Sequence, residues 1–152
     1  MTESDDIRGR QDPFNLGRFL EAQESVYLDV LAELRSGRKR THWMWFVFPQ
    51  IDGLGFSSTS KYYAIKSEAE ARQFLNHPVL GKRLLECANA VLEVEGRSAS
   101  EIFGPPDDLK LRSCMTLFAQ VSDPGSVFAQ VLDKYFHARL DEKTLALLKG
   151  LP

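Results

Sequence analysis

The chain has 152 residues, 43% apolar and 11% aromatic, which suffices for one well-filled core and argues for a single domain rather than two. With 19 lysines and arginines against 21 aspartates and glutamates, the net charge is −2. No global field therefore draws the protein to a nucleic acid polymer or an anionic membrane, and any anion site has to be local.

Residues 1–11 lack apolar periodicity and are expected to form a loose tail, followed by one domain over residues 12–152. Asp12-Pro13 reads as the N-cap and first residue of a helix carrying Phe14, Leu16, Phe19 and Leu20. A break near Gln23 to Ser25 precedes a second stripe, Val26, Val30, Leu31 and Leu34, which Gly37 terminates. The stretch Trp43 to Phe48 has strand-favouring residues, but no second strand run exists to pair with it, so a short helix ending before Pro49 is predicted. Ser67-Glu68-Ala69-Glu70 is a capping box opening the next helix, and Pro78 starts another with the face Leu80, Leu84, Ala88, Val91 and Leu92. A second capping box, Ser98 to Glu101, begins a short turn that Gly104 ends. Pro106 opens a helix with Asp107 and Asp108 in its first turn, and two more are predicted from Ser126 to Phe136 and Glu142 to Lys149. The fold expected is all-α, a compact bundle of about seven short helices.

Cys87 and Cys114 lie in amphipathic runs and outside any CxxC pair, so they read as reduced core thiols. The acidic start, Glu3 to Asp6, is unlike a signal peptide, and the longest apolar run is too short to span a bilayer. A cytoplasmic protein, monomeric or weakly dimeric, is expected.

Seven motifs together carry a resemblance. They are Asp12-Pro13-Phe14, Gly37-Arg38-Lys39-Arg40, His42 through Gln50, Gly53-Leu54-Gly55, His77 through Gly81, Ile102-Phe103-Gly104 and Asp108 through Ser113. In this order they resemble the bacterial domain-of-unknown-function family numbered 1810. The resemblance implies an all-α single domain and brings no established activity. Members sometimes carry the label calpastatin, but that inhibitor is a disordered, proline-rich repeat chain, and this sequence is compact and aromatic.

Three polar constellations are candidates for chemistry. Arg38, Lys39, Arg40 and His42 with Gln50 set cations beside Trp43 and Trp45, a combination that suits a nucleotide-like or phosphorylated ligand; it equally describes a solvated helix terminus beside a packed core. His42 as a general base competes with a structural histidine. Gly53 to Tyr63 combines two glycines, four hydroxyls, Lys61 and two tyrosines, which can cradle an anion or simply form a capped loop; it is neither a Walker A loop nor GxGxxG. Asp107, Asp108, Lys110, Arg112 and Ser113 open a helix, where Asp108 and Arg112 can pair at i,i+4, and Asp108 is a second acid/base candidate. The site expected is one cavity lined by Arg40, His42, Trp43, Gln50, Lys61, Tyr63, Asp108, Lys110 and Ser113. No metal site is expected, because His42, His77 and His137 are scattered, and no cofactor motif is present. The rival reading is a protein-interaction module without a small-molecule ligand.

Overall fold

The computed structural model describes residues 12–150; the tail expected over residues 1–11 lies outside them. Among the described residues ten helices follow one another: α1 (Gly17–Glu24), α2 (Tyr27–Arg35), α3 (Met44–Val47), α4 (Ser58–Tyr63), α5 (Glu68–Asn76), α6 (Leu80–Glu93), α7 (Ala99–Phe103), α8 (Asp107–Ala119), α9 (Val127–Phe136) and α10 (Glu142–Leu148). The class is all-α, with more helices than the seven or so expected. One added helix is α4, where the Ser57 hydroxyl accepts from Ser60 N and starts a helix in a stretch that also reads as a capped loop.

Side chains fix where most helices begin. Asp12 is not the N-cap, which falls at Leu16, but its carboxylate accepts from Leu16 N at 2.6 Å and Gly17 N at 3.0 Å. The helix nevertheless starts only at Gly17, because Pro13 and Phe14 form a turn and Asn15 takes a left-handed φ of 55°. Ser67 accepts from Glu70 N as half of a capping box, but the Glu70 carboxylate turns away to Lys66 N and Arg18. At Ser98 both halves of the box form. Ahead of α6, the ring Nδ1 of His77 accepts from Val79 N and Leu80 N, both at 3.1 Å.

Helices α6 and α8 form the centre. The first packs on α2, α5 and α9, the second on α5, α7, α9 and α10. From Ser113 to Phe118 every residue of α8 is buried, as a helix surrounded by others requires. Both thiols lie here, Cys87 on α6 and Cys114 on α8, each fully buried. The aromatic run forms α3 as predicted. Extended pairing among the described residues is confined to a parallel bridge between Ile51 and Ile65. None of the described helices is long and apolar enough to cross a membrane.

Candidate functional site

The cationic turn after α2 is organised by a carboxylate. Glu33 Oε1 accepts from Arg40 N at 2.7 Å, Thr41 N at 3.1 Å and Trp43 Nε1 at 3.0 Å, while Oε2 accepts from Thr41 Oγ1 at 2.6 Å. Burial alone would raise the pKa of Glu33, but these bonds, led by that of Thr41 Oγ1, hold it at about 2. Lys39 pairs with Asp107 at 2.9 Å and lies 5.0 Å from the Trp43 ring centroid. Trp43 itself is 2% exposed, among Phe48 and Phe103. With its N–H on Glu33 and its ring in the core, Trp43 is a structural residue, which corrects its expected place in a binding cavity.

The second and third constellations do converge. Asp52 N donates to Ile65 O and Ile65 N to Gln50 O, both at 2.8 Å, which fixes Gln50 beside α4. Gly55 then presses against Ser60, where a Cβ would stand 2.5 Å from the serine Cβ, and Gly53 takes φ +108°. This tight loop sets Leu54 and Gly55 around the same recess as Pro106, Leu109 and Lys110 at the start of α8. Two adjoining recesses result, sharing Gln50, Gly55 and Ser60. The inner recess, about 10 Å³, also touches Trp45, Tyr63 and Asp52. The outer, about 240 Å³, is bounded by Leu54, Pro106, Leu109, Lys110, Ser113, Asp141 and Lys143.

Of the nine expected site residues, Gln50, Tyr63, Lys110 and Ser113 line this cleft, and Arg40, His42, Trp43, Lys61 and Asp108 do not. Arg40 borders a separate groove with Val26, Asp29 and Glu33, because its backbone is tied to Glu33. His42 is exposed on the same turn, and Lys61 is exposed on α4, its carbonyl accepting from Lys66 Nζ. Asp108 turns back on its own helix, accepting from Leu109 N at 2.9 Å. Nor does Asp108 pair with Arg112, whose guanidinium instead donates to Arg139 O and Leu140 O and anchors the entry to α10.

Sequence reasoning misses Ser60, Asp141 and Lys143 in the lining, and takes Trp43 where Trp45 belongs. The spacing of α3 holds the only sequence signal for Trp45: two residues apart on a helix, the two indoles cannot face the same way. Asp141 is legible only as the N-cap of α10, with Oδ2 accepting from Thr144 N, Thr144 Oγ1 and Ser113 Oγ.

The cleft is rich in donors that the fold leaves free. Trp45 Nε1, the Gln50 carboxamide and the Tyr63 hydroxyl make no hydrogen bond to another described residue, and burial raises the Tyr63 pKa, so it stays a donor at neutral pH. Lys110 stands 3.7 Å from Asp107 and 5.4 Å from the Trp45 ring centroid. Larger depressions of about 530 and 930 Å³ follow the outer face of α6, but few residues of the resemblance motifs reach them. Among the described residues, no three His, Cys, Asp or Glu side chains are placed to hold a metal ion.

Over residues 13–148 the chain matches the family described as "Protein of unknown function (DUF1810)", and it belongs to that family. It is similar to a solved structure, that of the conserved hypothetical protein Rv1873 from Mycobacterium tuberculosis, with 55% identity and a TM-score of 0.89 over 91% of this chain and 99% of the other. No curated protein matches the chain.

Proposed function

We propose that the protein binds a small anionic ligand in the cleft between the Gln50 to Tyr63 segment and the first turns of α8 and α10. One observation carries the reading: parts of three resemblance motifs far apart in sequence meet here, bringing Trp45, Gln50, Gly55, Lys110 and Ser113 to one place, with Trp45 Nε1 and the Gln50 carboxamide open to a ligand. The protein acts as a cytoplasmic monomer or weak dimer, with no catalytic step assigned. Ser113 donates to Leu109 O and Asp141 Oδ2, away from any neutral base, and His42 lies elsewhere. Thermal-shift screening against anionic metabolites tests the reading. Lys110→Met should weaken a hit by about 1.5 to 3 kcal/mol, the usual worth of a charge-assisted bond, while Arg40→Ala leaves it unchanged. Equal loss in both variants, or none in Lys110→Met, would defeat the assignment.

An interaction module remains the second reading, favoured by the exposure of Phe56 (82%) next to the cleft loop and of Leu109 (58%) at its rim. Phe56→Ser that leaves small-ligand binding intact but abolishes co-purification of a partner would support it.

A further inference from the structure

Resting on that reading of the cleft, we infer that its ligand is a small zwitterion of the amino acid type, a carboxylate with an ammonium group and an apolar side chain, and not a phosphate ester. Charge decides first. The outer recess carries two ammonium groups, Lys110 and Lys143, and one carboxylate, Asp141, and since Lys110 is already held by Asp107 at 3.7 Å the recess is close to balanced rather than strongly cationic. No arginine lines it, and Lys110 already shares Asp107 with Lys39. A phosphate dianion placed here would be under-neutralised and would face Asp141. A zwitterion keeps the balance.

The free valences match both ends of such a molecule. Lys110 and Lys143 offer ammonium donors to a carboxylate. Asp141 engages only Oδ2 with Ser113 and Thr144, leaving Oδ1 as an acceptor for an ammonium group. Leu54, Pro106 and Leu109 supply the apolar wall between these poles. Size agrees: about 240 Å³ lies below the range of roughly 300 to 1,000 Å³ that drug-sized ligands occupy, which suits a ligand of amino acid size. The inner recess, about 10 Å³, holds no more than one water, which Trp45, Gln50 and Tyr63 are placed to bind.

The experiment compares four probes on the intact protein by calorimetry and thermal shift: L-phenylalanine, 3-phenylpropionate, phenethylamine and phenyl phosphate. L-Phenylalanine should bind best, 3-phenylpropionate roughly tenfold more weakly for want of the ammonium group, and the other two not measurably. Asp141→Asn, which keeps a good helix cap, should erase the difference between L-phenylalanine and 3-phenylpropionate, and Lys143→Met should weaken both. Tighter binding of phenyl phosphate, abolished by Lys110→Met, would overturn the zwitterion while leaving the cleft as the site. An unchanged preference in Asp141→Asn would overturn the role of Asp141 and the inference with it. Failure of every probe at millimolar concentration, alongside tight binding of a larger anion that Lys110→Met leaves intact, would overturn inference and site together.

Discussion

Arg18 and Glu70 meet at 2.7 Å in the interior, with side chains 5% and 1% exposed. A buried charge is tolerated only when every valence is answered, and here the guanidinium also donates to the carbonyls of Phe14, Asn15, Tyr62 and Ala64. Removing one partner leaves the other charged and alone. Arg18→Ala should therefore cost about 3 to 5 kcal/mol in urea unfolding, and replacing both partners with apolar residues should recover only part of it, because the four carbonyls still lose their donor. Glu33 offers a pH-dependent counterpart. Its folded pKa of about 2 lies below the unfolded value, so its contribution is complete above about pH 4.3 and is lost as pH falls from there through 2. Glu33→Gln should lower stability at pH 7 by about 1 to 2 kcal/mol, a figure reduced because the carboxylate is partly solvated, and the difference from wild type should vanish near pH 2. Parallel denaturation curves at pH 7 and pH 2.5 check it.

Helix α6 contains a glycine near its start for a steric reason. A Cβ on Gly81 would stand 1.9 Å from the backbone oxygen of Leu75, at the end of α5. Gly81→Ala should thus destabilise by at least about 2 kcal/mol, although alanine is the better helix former, and the denaturation midpoint reports the sign. Element boundaries were largely legible, since the signals at Ser98, Gly104 and Gly37 act locally on the backbone that carries them. At Ser67 only half of the capping box forms. Its Glu70 is taken by Arg18, 52 residues away, and no local pattern announces a partner so distant. The cap at His77 likewise has no sequence signal, because imidazole rarely serves in that role.

Across the whole molecule, the class of fold is legible in the sequence, and four of the nine expected site residues lie in the cleft. Gln50, Tyr63, Lys110 and Ser113 were legible because they lie in or beside motifs made of uncommon residues; Arg40 and Lys61 were grouped with them although the turn at Glu33 and the exposed face of α4 carry them elsewhere. Which of two tryptophans faces a cleft depends on helix rotation, a tertiary quantity. Iodide should accordingly quench only part of the fluorescence: Trp43 is shielded at 2% exposure and Trp45 is half-buried beside the cleft. Complete quenching with a single constant would contradict that arrangement.

The two thiols give this fold a clock. Burial pushes Cys87 up to about 12 and Cys114 well above its ordinary value, so at neutral pH the folded protein presents almost no thiolate to an electrophile. A chromogenic disulfide reagent can therefore react only with molecules whose central helices have opened. Because Cys87 marks α6 and Cys114 marks α8, two labelling phases would mean that the central pair separates in steps, and one phase that it opens as a unit.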